Sequence, residues 1–176
     1  FERISEMMEF ETRIMEMVSD TATVNVPVDP RIDVSVLTID DASPMFVNVE
    51  VLRTGISKTN RRYFNNDVVR QLVPMIPGVQ GFLGHPDPNK VGFEFRDPQC
   101  IYVGSMIEEL EGGAIVRAIA KAYIFKSSSL REWIPKSIAA GKPMTVSINA
   151  IGDIAYDTIN NIKHVRSFSE LESIDW

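Results

Sequence analysis

The stretch that decides the fold is residues 100–125, CIYVGSMIEELEGGAIVRAIAKAYIF. Residues 100–110 and 114–125 are two strand-like runs, and Gly112-Gly113 stands between them, where a tight turn needs positive φ. The pair therefore reads as a β-hairpin. Downstream, Ser129 with Glu132 three positions on resembles a capping box, and Gly141 suits the far end of the helix it would open. Pro135 inside that span predicts a kink or a break, because proline removes a helical hydrogen bond. Strands follow over Met144–Ile151 and from Phe168 to Trp176. Upstream, the alternation of Val34, Val36 and Thr38 and then Phe46, Val47, Val49 and Val51 predicts two strands, with Asp40–Pro44 as the turn between them. Asn65 or Asn66 can cap a short helix holding Val68, Val69 and Leu72, limited by Pro74. Gly81–His85 reads as a short strand or its end, stopped by Pro86 and Pro88. Strands outnumber helices and no βαβ rhythm recurs. The predicted class is α+β, a mostly antiparallel β-barrel with peripheral helices.

The amino-terminal end reads differently. Ile4, Met7, Met8, Ile14, Met15 and Val18 make one apolar stripe at helical spacing, with Glu6, Glu9, Glu11 and Arg13 mostly opposite. Residues 1–19 are therefore expected to form an amphipathic helix, packed on its own domain or, through its methionines, on a partner. Residues 20–31, with Pro27 and Pro30 among polar neighbours, read as a linker, which leaves 32–176 as the β-barrel domain.

Composition narrows the function. The chain has 176 residues, 44% hydrophobic and 24% charged, a globular balance sufficient for one domain with a core. Its 18 basic and 24 acidic residues give a net charge of −6, which argues against nucleic-acid binding. The single cysteine, Cys100, can form neither an internal disulfide nor a thiolate metal cage, as in a reducing, cytosol-like compartment. No apolar run approaches the ~20 residues that cross a bilayer, and no signal-peptide pattern opens the chain, so no membrane role is expected. Phe1 in place of a methionine, and an apolar stretch running out at Trp176, read as a fragment or a processed chain.

Two histidines limit the choice of a general base near neutral pH. His85 lies where a strand breaks into a proline-rich loop, between Gly84 and Pro86; His164 lies in the polar run Asn160–His164, read as an exposed turn. In the strand 144–151, Met144, Val146, Ile148 and Ala150 share one face, and Thr145, Ser147 and Asn149 share the other. That polar face meets either solvent or a cleft. In a cleft, Ser147 is a candidate nucleophile on a rigid element, and a serine hydroxyl needs a base within hydrogen-bond reach. A carboxylate would then orient the imidazole. The last strand offers Glu172 and Asp175, whose opposite parity forbids both from projecting on one face; Glu170 shares the face of Glu172.

Taken in order, Asn60-Arg61-Arg62-Tyr63, Gly81-Phe82-Leu83-Gly84-His85-Pro86, Val146-Ser147-Ile148-Asn149-Ala150-Ile151-Gly152 and Ser173-Ile174-Asp175-Trp176 resemble the prohead proteases of tailed phages. These are capsid maturation enzymes related in fold to herpesvirus assemblin, and the likeness runs from about Val34 to Trp176. The resemblance implies a herpesvirus-protease-like β-barrel and a serine endopeptidase that uses no cofactor and no metal. His85 matches the family's histidine in its Gly-x-x-His-Pro segment, and Ser147 matches the serine of its Val-Ser-x-x-x-x-Gly strand. The acid transfers to Asp175, with Glu172 as the alternative. The resemblance further implies major capsid and scaffold proteins as substrates, homo-oligomerisation, and action in the host cytoplasm inside the assembling prohead. Relatives cut after a glutamate two positions beyond an apolar residue. Ile4-Ser5-Glu6, Ile14-Met15-Glu16 and Ile107-Glu108-Glu109 have that shape, so self-processing near the amino terminus is expected.

Three other readings compete. A non-enzymatic prohead scaffold or core protein would assemble through the amino-terminal helix. A metal hydrolase built on His85 and Asp87 would be short of ligands in a chain with two histidines. The pair Arg61-Arg62 could contact phosphate, but in an acidic chain it reads as local ion-pair or turn contacts.

Overall fold

The computed structural model describes residues 7–18 as main chain, and residues 25–84 and 96–176 in full. Its strands are β1 (Met7–Val18), β2 (Met45–Arg53), β3 (Gly55–Ile56), β4 (Arg62–Phe64), β5 (Gln80–Gly81), β6 (Cys100–Leu110), β7 (Ile115–Ile124), β8 (Val146–Asp157) and β9 (Ile162–Asp175). Helices α1 (Val34–Leu37), α2 (Asn66–Leu72) and α3 (Leu130–Ala139) lie between them. The strands form two sheets, ordered β1-β8-β9-β4-β3 and β2-β7-β6-β5. Pairing within them is antiparallel except where β4 runs parallel to β9. The class is thus α+β and mostly β, as expected, with one curled half-barrel sheet faced by a second sheet in place of a single closed ring. Among the described residues no helix is long and apolar enough to cross a membrane.

The hairpin forms as its sequence predicts: β6 and β7 pair through Leu110 and Ile115, and the turn between them holds Gly112 at φ 66°. One face of each sheet is apolar, and the core between the sheets joins Val49, Val51, Tyr102, Ala118, Ala120, Ile148, Ala150 and Ile174. Helix α2 closes one side of this core with Val68, Val69 and Leu72. It begins where Asn65 accepts the Val68 N–H at 2.9 Å, which satisfies one of the unpaired donors of the first turn.

The curl originates in β9. Its register against β8 steps from Ser173↔Asn149 to Leu171↔Ala150, from Glu170↔Ile151 to Phe168↔Gly152, and from Ser167↔Asp153 to Val165↔Ile154. Glu172, Ser169 and Arg166 are skipped in turn, and all three are exposed. Each extra residue bends its strand and resets the alternation of faces. The buried apolar positions consequently recur every third residue, at Val165, Phe168, Leu171 and Ile174. Gln71 on α2 accepts the Phe168 N–H at 2.8 Å, so a backbone donor at one of these shifts stays satisfied.

Several sequence expectations are corrected. The stripe read as an amino-terminal helix is strand β1 from Met7 to Val18, paired with β8 along its whole length from Met7↔Asp157 to Val18↔Val146. Met8, Phe10, Ile14 and Val18 fit a two-residue period as well as a helical one. Pairing with β8, which would otherwise be a bare sheet edge, outweighs weak helix propensity. Residues 1–6 and 19–24 lie outside the described residues.

The segment read as a linker is packed against β6 from Val26 onward: Val26 is fully buried, and the Asp29 N–H donates to the Val103 carbonyl at 2.8 Å. Val34–Leu37 is one helical turn and not a strand, because Asp33 accepts the N–H groups of Ser35 and Val36 and so caps it. Helix α3 runs through Pro135 without a break, and the Leu130 N–H is met by the Ser128 hydroxyl rather than by Ser129. His164 lies within β9 beside Tyr63 of β4 and not in a turn. Arg61 makes the turn contacts expected of it, donating to the carbonyls of Asn161 at 2.8 Å and Asn160 at 3.2 Å.

Candidate active site

The two sheets meet along a seam at the end of β9. The Trp176 N–H donates to the Phe82 carbonyl at 2.8 Å, and the Gly84 N–H donates to the Trp176 carbonyl at 2.7 Å. This is the bonding pattern of a parallel ladder, so Phe82–Gly84 continues β5 alongside the end of β9. The close approach depends on Gly81. A Cβ there would stand 2.5 Å from the Ile174 carbonyl oxygen and 2.6 Å from the Cys100 sulfur. Two side-chain bonds reinforce the seam from inside, Tyr102 Oη–H to the Ile174 carbonyl at 3.0 Å and Trp176 Nε1–H to Cys100 Sγ at 3.2 Å.

Ser147, the second residue of β8, lies directly across the ladder from Asp175. Cross-strand partners project from the same face of a sheet, so hydroxyl and carboxylate stand side by side. On its other edge β8 pairs Ser147 with Met17 of β1, so the serine sits on an interior strand held from both sides. Ser147 is half-buried.

Asp175 is 2% exposed. Its Oδ1 accepts the Phe82 N–H at 3.1 Å, and its Oδ2 accepts the Ser173 hydroxyl at 2.9 Å. The carboxylate therefore ties the end of β9 to the segment that leads into residue 85. Glu172 is exposed and sits at one of the register shifts. The structure thus brings Asp175, and not Glu172, to the serine. His85 and Asp87 lie outside the described residues. The residue before His85, Gly84, is one hydrogen bond from Trp176, which follows Asp175 in the chain.

The polar face 145–149 is half-buried at Thr145 and Ser147 and fully covered at Asn149. Asn149 is 3% exposed and donates its amide to Ser173 Oγ at 3.3 Å. Sequence reasoning noted Asn149 only as polar and passed over Ser173. The available signal was the matched alternation of Ser147 and Asn149 on one strand with Ser173 and Asp175 on its neighbour. Cys100 is no alternative nucleophile, because burial pushes its thiol up to about 11, and the thiolate is the reactive form. Burial likewise raises Tyr102 well above the usual phenol range. Among the described residues no three His, Cys, Asp or Glu side chains cluster as metal ligands.

No family model matches the sequence, and no curated protein matches it. The solved structure of the bacteriophage T4 capsid assembly protease, gp21, is similar to it with a TM-score of 0.59, over 94% of this chain and 98% of that chain, at 13% sequence identity. The two chains share a similar fold. At this identity the likeness concerns the path of the chain. The seam is where β8, β9 and the continuation of β5 converge.

Proposed function

We propose that the chain is a serine endopeptidase of the prohead-protease type, related to herpesvirus assemblin, that cleaves scaffold and major capsid proteins during phage capsid maturation. One observation carries this reading: Ser147 stands opposite Asp175, while the segment entering His85 is bonded to Asp175 and Trp176. In the proposed reaction His85 accepts the Ser147 hydroxyl proton as Oγ attacks the scissile carbonyl, and Asp175 orients and stabilises the imidazolium. The imidazolium then protonates the leaving amine, and water hydrolyses the acyl-serine through the same base. The reaction requires neither cofactor nor metal. It would run in the host cytoplasm, inside the assembling prohead, with the enzyme as a homo-oligomer.

Self-processing belongs to the proposal, and the fold ranks its sites. Glu16 lies inside β1 and Glu109 inside β6, where Glu109 also pairs with Arg70 at 2.6 Å. Cleavage at either requires strands to open. Cutting after Glu6 of Ile4-Ser5-Glu6 would fall just before β1 begins. The rival scaffold reading needed an amino-terminal helix, and residues 7–18 are a strand within the sheet.

The test is expression of the wild-type chain and of Ser147→Ala, with termini read by mass spectrometry and cleavage assayed on a synthetic peptide of residues 1–12. Wild type is expected to release Phe1–Glu6 and to cut the peptide after Glu6, and Ser147→Ala to do neither. Equal cleavage by both proteins would overturn the serine assignment.

A further inference from the structure

The proposed acid ends a line of three buried polar side chains, Asn149, Ser173 and Asp175, exposed by 3%, 3% and 2%. Asn149 Nδ2 stands 3.3 Å from Ser173 Oγ, and Ser173 Oγ stands 2.9 Å from Asp175 Oδ2. The direction of these bonds follows from chemistry. A hydroxyl has one proton, which Ser173 donates to Asp175 Oδ2, and an amide NH₂ only donates, so Ser173 Oγ accepts from Asn149 Nδ2. The far oxygen of Asp175 is held separately by the Phe82 N–H at 3.1 Å. Both oxygens are thereby fixed in direction, one by each sheet. A carboxylate has about four acceptor positions, so two such bonds orient it without exhausting it.

We infer that Ser173, backed by Asn149, is a positioning residue of the proposed serine protease: it fixes the rotamer of Asp175 so that the carboxylate faces the seam where residue 85 enters. The inference rests on the reading of Ser147 and Asp175 as nucleophile and acid. It adds that the acid's orientation is set from within the β8–β9 ladder. Ser173 itself touches neither substrate nor nucleophile. Asn149 and Ser173 are register partners, so the relay is as rigid as the ladder that carries it.

The experiment measures the rate at which a fluorophosphonate labels Ser147, resolved into reagent affinity and maximal rate, for the wild type, Ser173→Ala, Ser173→Cys, Asp175→Asn and the double variant Ser173→Ala/Asp175→Asn. Thermal melts establish that each protein is folded. Ser173→Ala is expected to lower the maximal rate about 10-fold with affinity unchanged, as for a group acting only in the reacting geometry. Ser173→Cys, which keeps a weak donor of similar size, is expected to fall between. The double variant is expected to be no slower than Asp175→Asn alone, because a residue acting through the acid has nothing left to position. A maximal rate unchanged in folded Ser173→Ala, or losses that add in the double variant, would overturn the inference. Where Ser173→Ala does not fold, Ser173→Cys carries the same comparison. Wild-type protein that takes no label on Ser147 would refute the underlying serine reading, an outcome distinct from labelling that ignores Ser173.

Discussion

Two of the buried acids, Asp41 and Asp175, sit in contrasting surroundings. Asp41, in the turn before β2, accepts from both terminal nitrogens of Arg131 and from the Tyr123 hydroxyl, the latter at 2.6 Å. These partners tie α3 and the end of β7 to that turn, and the same guanidinium also donates to the carbonyls of Ile124 and Ser43. Hydrogen bonding from Arg131, then from Tyr123, holds the Asp41 carboxyl at about 2. Asp175 is bonded by a main-chain N–H and a serine hydroxyl, and it faces Ser147 across a ladder. Burial of an acid therefore does not mark an active site. The two differ in the donors shown: a guanidinium and a phenol hold Asp41, whereas a main-chain N–H and a serine hydroxyl hold Asp175, the acid of the proposed site.

The contrast breaks first at Asp175. Replacing Asp175 by Asn keeps its size and is expected to lower peptide cleavage on the order of 10⁴-fold, as when an imidazole loses its orienting acid, while the melting temperature changes little. Asp41→Asn should do the reverse, lowering the melting temperature by several degrees because Arg131 loses its charged partner, with cleavage per folded molecule unchanged. Since the folded pKa of Asp41 lies below its unfolded value of 3.8, its contribution is present above pH 4 and is lost as pH falls toward 2. Acid titration of the melt should show that loss in the wild type and a smaller one in Asp41→Asn. Gly81→Ala sharpens the picture of the seam: its Cβ must displace the Ile174 carbonyl or Cys100, at a cost of about 1–3 kcal/mol, with cleavage reduced as the strands separate. The smallest effect belongs to Glu172→Gln, for which cleavage within about twofold of wild type is expected of an exposed residue. A large loss there would move the acid to Glu172.

Much of this architecture was legible because it is local. The hairpin needed only two β-rich runs and Gly112-Gly113, and Asn65 advertised its cap. Met7–Val18 was misread because its apolar residues satisfy two periods at once, and the strand β8 that selects between them lies more than a hundred residues away. Val34–Leu37 was misread because a single aspartate, Asp33, outweighs β-branched propensity over one turn. The third-residue burial of Val165, Phe168, Leu171 and Ile174 stood in the sequence, but it looks like neither helix nor strand until the register shifts are known. At the site, Ser147 was visible through the polar face of its strand. That Asp175 and not Glu172 stands opposite it was not, because register and burial place the two acids. The role proposed for Ser173 comes from Asp175, two residues along its own strand, and from Asn149 on the adjacent one.

The most direct test of the central claim is to treat the protein with a fluorophosphonate and map the adduct by peptide mass spectrometry in the wild type, Ser147→Ala and His85→Ala. The account predicts an adduct on Ser147 of the wild type, none in Ser147→Ala, and a rate lowered by orders of magnitude in His85→Ala. Absence of an adduct on Ser147, or labelling there that proceeds unchanged without His85, would contradict it.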